Sequence, residues 1–196
     1  VIDRLRTRFP IDRVCIVADR GMISNRTIRD LEDRKVAYIL GVKMRQNKEA
    51  VDAVLSDETA FEPVEYDTET PLAVKEVVHQ GVRYVVCRNE EEAAHDRLSR
   101  ETIVEHLRQT LRQGSKSLVS NSGYRKYLKA RKESFEIDTK KVEREATYDG
   151  LYVLRTNLEL PADEIAMQYK QLWRCEQSFR KMKSVFATRP IYHRTD

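Results

Sequence analysis

At 196 residues, 40% of them hydrophobic and 35% charged, the chain is long enough to bury a substantial core and has the balance of a soluble globule. A formal net charge of +4 tilts it toward anionic partners but does not choose one, so the placement of charge matters more than its sum. Cys15, Cys87 and Cys175 are widely spaced with no C-x-x-C pair, which argues against a disulfide framework or a zinc site and for a reduced, cytoplasmic setting; no run of about eighteen apolar residues or secretory leader points to a membrane.

The chain opens on "VIDRLRTRF", which reads as the tail of a helix halted by Pro10, so an upstream segment is expected before Val1. "RVCIVAD" (13–19) is an apolar, β-branched run of the kind buried on both faces of an α/β sheet. "SNRTIRDLEDRK" follows as a helix with Ser24 as N-cap and Ile28 and Leu31 facing the core, and "VAYILGVK" returns as a second strand, completing a β-α-β unit. "RQNKEAVDAVLSD" predicts a short helix. From Glu49 to Glu76 nine acidic residues face a single lysine, which makes this stretch an unlikely surface for DNA.

"FEPVEYD" and "LAVKEVVHQGVRYVVCRNE" predict strands, the second a hairpin turning at Gln80-Gly81. A helix is expected over 90–113, ended by Gly114, and a second, basic helix over 123–132. "FEIDTKKVEREATYDGLYVLRTN" predicts further strands. Pro161 opens the last helix, 162 to about 187, with Asp163 and Glu164 complementing its dipole. The organisation this implies is a β-α-β core part (1–56), a mixed α+β insertion (57–157) and a closing helix that rejoins the core (158–196).

Two places carry candidate chemistry. Asp19 sits at the carboxyl end of a strand, before a turn with Gly21, where α/β sheets place ligands; it is either a metal-binding carboxylate or a turn cap. On the last helix, Leu172, Cys175, Phe179, Met182 and Phe186 form an apolar stripe, and Tyr169, Glu176 and Lys183 follow at heptad intervals on its flank. Glu176 is either an exposed i, i+4 partner of Arg180 or a carboxylate whose partner lies off the helix. Lys183 either snorkels or meets an anion. His79, His95, His106 and His193 show no metal-ligand spacing, and Trp173 reads as packing.

Taken together, "VADRGMISN" and "YKQLWRCEQSFRKMKS" resemble the DDE transposases of bacterial insertion sequences, in the insertion-sequence-4-like group whose last catalytic helix carries Y-x(2)-R-x(3)-E-x(6)-K. Tyr169, Glu176 and Lys183 fall on its Y, E and K. The R position is Leu172, a departure, with Arg174 two residues on. "YILGVK", "YDGLYVLRTN" (148–157) and "RPIYHR" (189–194) are further similar pieces.

The resemblance implies a ribonuclease-H-like α/β fold, with a mixed five-stranded sheet holding three carboxylates. Asp19 would be the second and Glu176 the third, with the first upstream of Val1. It implies two Mg²⁺ or Mn²⁺ ions per active site, held by Asp19 and Glu176, serving an in-line phosphoryl transfer that cuts transposon ends and joins them to target DNA. The carboxylates are then expected within about 4–8 Å of each other. Tyr169, Lys183, Arg174, Arg180 and Arg20 would contact DNA phosphates. Basic runs at 116–132 and 170–194 agree with that partner. Double-stranded DNA, a homodimer on that DNA and a nucleoid-associated cytoplasmic location follow from the same resemblance. Two alternatives stay open: a non-catalytic DNA-binding remnant or regulator from a truncated transposase, and a metal-dependent nuclease of the same fold.

Overall fold

The computed structural model of the chain describes residues 8, 14–46, 48–65, 71–113, 126–131 and 134–185; the side chains of 48–50, 113, 130, 131, 134, 173–177 and 179–185 fall outside that description. Strand β1 (Cys15–Ala18), helix α1 (Asn25–Asp33) and strand β2 (Ala37–Gly41) form the expected β-α-β unit, with the strands parallel and Cys15, Ile16, Val17 and Ala18 registered on Ala37, Tyr38, Ile39 and Leu40. Ser24 starts α1 as predicted, its hydroxyl accepting from the Thr27 amide at 3.2 Å. Leu31 is buried, and Ile28 packs against the cluster of Ala18, Leu31, Val36, Tyr38 and Leu40. This cluster is one face of the two strands.

β1 itself is less enclosed than an all-apolar run predicts. Cys15 is exposed, and Ile16 and Val17 are half-buried. The reason is position: β1 ends the strand order, and among the described residues β2 is its one neighbour.

Helix α2 (Lys48–Ser56) follows, then β3 (Glu62–Pro63), β4 (Leu72–His79) and β5 (Val82–Asn89). The predicted hairpin turns at Gln80 and Gly81, whose φ values of 51° and 73° are those of a two-residue type I′ turn. Lys75, the single lysine of the acidic stretch, is buried, donating to the Asp57 carbonyl at 2.6 Å. Strand β8 (Leu151–Thr156) pairs antiparallel with β2, and six of the eight described strands form one sheet in the order β1-β2-β8-β5-β4-β3. A mixed sheet is thus present, with six strands among the described residues where the family resemblance implied five. β4, β5 and β8, assigned from sequence to an insertion, are hydrogen-bonded members of it. Alternating apolar residues look the same whether a strand extends an existing sheet or builds a new one.

By internal contacts one unit comprises 1–62, 74–87 and 153–196, and a second comprises 63–73 and 88–152. In the first, the long helix α5 (Ala162–Val185) packs against β1 and β2, burying Ile165 and Ala166 completely. Pro161 serves α5 as its cap, not as its first residue: its carbonyl accepts from the Ile165 amide at 3.0 Å. The approach to α5 is pinned by Arg83 of β5, whose guanidinium donates to the carbonyls of Leu158 and, at 2.7 Å, Leu160, and pairs with Glu76 at 2.5 Å. That pairing holds the Glu76 carboxyl below its ordinary range.

The second unit departs further from the sequence reading. Asn89 caps helix α3 (Glu90–Gln113), its side chain accepting from the amides of Glu91 and Glu92. Residues 128–131 are strand β6 (Leu128–Arg131), not the end of a basic helix, and pair antiparallel with β7 (Ser134–Ile137). Lysine and arginine are good helix formers, but here pairing Leu128 with Ile137 and burying Tyr127 beside Leu107 of α3 outweighs propensity. Likewise 139–146, read as strand, is helix α4 (Thr139–Ala146), capped by Asp138 accepting from the Lys141 amide at 3.1 Å. Asp138, an N-cap residue type just ahead of the run, was the overlooked start signal.

Candidate active site

A strand alternates its faces, so Gly41 shares a face with Ile39, away from Tyr38 and Leu40, which pack toward α1. One step beyond the last registered pair, Ala18 with Leu40, lies Asp19 opposite Gly41. Asp19 is half-buried, and its carbonyl accepts from the Met22 amide at 3.0 Å to close the turn. Its carboxylate is held by two donors on one oxygen: the Arg20 amide reaches Oδ1 at 2.7 Å and the Tyr169 hydroxyl reaches the same atom at 2.9 Å. Tyr169 comes from α5, one turn beyond the buried Ile165, 150 positions from Asp19 in sequence.

Gly41 makes this approach possible. A Cβ placed there would lie 2.6 Å from the Tyr169 hydroxyl and 2.9 Å from the Arg20 amide nitrogen, well inside contact distance. Gly41 is the residue that sequence reasoning passed over. A glycine at the end of an otherwise bulky strand, "AYILG", is the signal that marks close approach of another group.

Of the residues predicted from sequence, the structure therefore brings together Asp19, Arg20 and Tyr169. The Arg20 side chain is exposed. Leu172 is half-buried. Arg174, Glu176, Arg180 and Lys183 lie on α5, but their side chains, and with them the expected approach of Glu176 to Asp19, are outside the described residues. The basic run at 116–132 is described from Lys126 onward, where Lys126 pairs with Glu145 and Lys129 with Glu136.

Among the described residues, no three His, Cys, Asp or Glu side chains converge as a metal cage. The donor present nonetheless suits a hard cation. It is a carboxylate at a strand end, with neutral hydrogen-bond donors on one oxygen and, among the described residues, no ion pair to cancel its charge.

The "YDGLYVLRTN" segment proves to be structural. Asp149 pairs with Arg100 of α3, and the Gly150 amide donates to Asp96 at 3.1 Å. Gly150 has φ 62°, and a Cβ there would strike the Asn89 carbonyl oxygen, so only glycine fits this turn. Arg155, Thr156 and Asn157 all serve β2. Arg155 meets Glu32 at 2.7 Å, the Thr156 hydroxyl donates to the Tyr38 carbonyl at 2.7 Å, and Asn157 accepts from the Tyr38 amide and donates to the Val36 carbonyl, both at 2.9 Å. A shallow hollow of about 350 Å³ lies over Glu32, Lys35, Ala37 and Asn157.

A parallel β-α-β unit with a carboxylate at its strand end, crossed by a long helix that touches that carboxylate, defines an α/β protein with a strand-end site. The family model for the transposase DDE domain matches residues 1–196, and the chain belongs to that family. Neither a curated protein nor a solved structure matches it. Membership carries a ribonuclease-H-like α/β fold and a transposase function; DNA as substrate and use of divalent metal ions are properties of the family. No helix among the described residues is long and apolar enough to cross a membrane.

Proposed function

We propose that the chain is the catalytic part of an insertion-sequence-4-like DNA transposase, with Asp19 and Glu176 as two of its metal-holding carboxylates. The observation that carries this is the hydrogen bond from Tyr169 to Asp19, because it brings together the two sequence stretches on which the family signature depends. In this reading 1–56 and 158–196 belong to the core, 57–157 carries the insertion while lending β4, β5 and β8 to the core sheet, and the protein works as a homodimer on double-stranded DNA at the nucleoid.

Two bound Mg²⁺ or Mn²⁺ ions would supply Lewis-acid activation of the attacking oxygen and stabilisation of the leaving one. The chain's own part is to hold and orient. Asp19 and Glu176 provide anionic oxygen. Lys183, Arg174, Arg180 and Arg20 neutralise phosphates beside the scissile bond. Tyr169, expected among them, has its hydroxyl proton on Asp19, and one proton cannot serve a phosphate at the same time.

The test is cleavage of end-containing DNA by the full-length protein, with Asp19→Ala and Glu176→Ala each abolishing it. A Mn²⁺-soaked crystal in which the two carboxylates lie more than about 12 Å apart would sink the assignment, since a shared site needs adjacent ligands. Leu172, half-buried where the family signature has arginine, favours a second reading, a DNA-binding remnant that no longer cuts. That reading expects full-length protein that binds end DNA with no metal-dependent cleavage.

A further inference from the structure

A carboxylate oxygen has two lone pairs, and at Asp19 both donors go to Oδ1: the Arg20 amide at 2.7 Å and the Tyr169 hydroxyl at 2.9 Å. The first donor is part of the turn and is always present. The second arrives from a helix 150 positions away and enters through a space that exists because residue 41 has no side chain. We propose that Tyr169 is a positioning residue for Asp19: admitted by Gly41, its hydroxyl joins the Arg20 amide in occupying Oδ1 and so presents Oδ2 as the cation-facing oxygen. This rests on the reading of Asp19 as a metal ligand, and it gives Tyr169 a role distinct from a phosphate contact.

The physical logic is that of a ligand's outer support. A half-buried carboxylate with one hydrogen bond can still rotate about its Cβ–Cγ bond; two donors converging on one oxygen fix the plane. Both donors are uncharged, so they orient the group without cancelling the charge a cation needs. Loss of such a supporting partner in metal sites weakens metal binding about 10–100-fold. Gly41 acts one step further back, by leaving the path clear.

The experiment measures Mn²⁺ binding to the full-length protein by electron paramagnetic resonance, without DNA, beside DNA-binding salt titrations and thermal melts. Tyr169→Phe is expected to weaken Mn²⁺ binding about tenfold, to leave the salt slope of DNA binding unchanged, and to cause no further loss of Mn²⁺ binding in an Asp19→Ala background. Gly41→Ala is expected to lower the melting temperature by roughly 3 °C or more, and to cost less in a Tyr169→Phe background, where the nearer of the two atoms that the new methyl strikes, the hydroxyl, has been removed and only the Arg20 amide nitrogen remains.

If Tyr169→Phe leaves Mn²⁺ binding intact while Asp19→Ala reduces it, the positioning role is overturned and the ligand assignment stands. If Asp19→Ala leaves Mn²⁺ binding intact, the ligand assignment itself fails. An equal cost of Gly41→Ala in both backgrounds overturns the part given to Gly41. Should Gly41→Ala not fold, the Tyr169→Phe arm decides alone.

Discussion

The two ends of strand β2 use polar groups in opposite ways. At the Ala37–Tyr38 end, charge meets charge: Glu32 Oε1 accepts from both the Tyr38 hydroxyl at 2.8 Å and Arg155 at 2.7 Å, while Asn157 stitches the backbone at Val36 and Tyr38. The Tyr38 hydroxyl, and after it Arg155, holds the Glu32 carboxyl below its ordinary range. Burial, reinforced by Glu32, pushes the Tyr38 phenol up. At the Gly41 end a carboxylate is met by a backbone amide and a neutral hydroxyl. The first arrangement spends its charge inside the protein and stabilises the fold. The second orients a charge that, among the described residues, no ion pair cancels, as the proposed cation site would need.

Substitutions at either end should therefore fail in different assays. The largest effect is expected from Asp19→Asn, which keeps the shape and the acceptor oxygen for Tyr169 but removes the charge: DNA cleavage by the full-length protein should fall by at least about 10³-fold, or roughly 4 kcal/mol of barrier. Its melting temperature should barely move. A large loss of stability instead would mean that this end, too, is structural. Next comes Asn157→Ala, which strips partners from the Tyr38 amide and Val36 carbonyl together and should cost about 2–4 kcal/mol in a denaturant titration, with metal binding by the remaining folded protein unchanged.

Smaller effects sharpen the contrast. Lys183→Ala should lower the slope of log affinity against log salt by about one, one counterion fewer being released, whereas Leu172→Arg should steepen it if that position faces DNA. If the half-buried Leu172 is packing instead, the melt will drop and the slope will stay where it was.

The smallest effect belongs to Glu32→Gln. Because the folded carboxyl is held below its ordinary range, its stabilisation is complete above the unfolded carboxyl's pKa and is lost as pH falls through the lower folded value. The side chain is 41% exposed, so solvent screening limits the contribution to under about 1 kcal/mol. The variant should lose part of the acid-side decline in stability and little at neutral pH. An unaltered acid limb would show that the Glu32–Arg155 pair is idle in solution.

How far the sequence could be read depended on whether local signals or distant partners decide the outcome. Ser24 before "NRTIRDLED", the Gln80-Gly81 turn between alternating strands, and Pro161 ahead of a 3.6-period stripe each act within a few residues, and each element formed where expected. Residues 128–131 and 139–146 did not follow expectation. The first is decided by a strand partner and by Tyr127 docking on α3, and the second by one Asp138 cap on a helix with little apolar content. Asp19, Arg20 and Tyr169 were legible as candidates by residue type and spacing. Their hydrogen bond was not, nor was Gly41, because what Gly41 supplies is an empty space defined by atoms from elsewhere in the chain.

The separation in sequence between Asp19 and Tyr169 has a consequence for how the protein is made. A ribosome adding roughly 5–20 residues per second needs on the order of 8–30 s to travel the 150 positions from the carboxylate to its hydroxyl partner. During that interval the β-α-β unit can already fold, since its contacts are local, and Arg83 has been synthesised before the segment at Leu158 and Leu160 that it must hold. The helix therefore docks after the strands that receive it, β1 and β2, have been made. A nascent chain thus carries an Asp19 without its distant donor until Tyr169 has been made, and arrest of translation before that point leaves the carboxylate with the Arg20 amide alone.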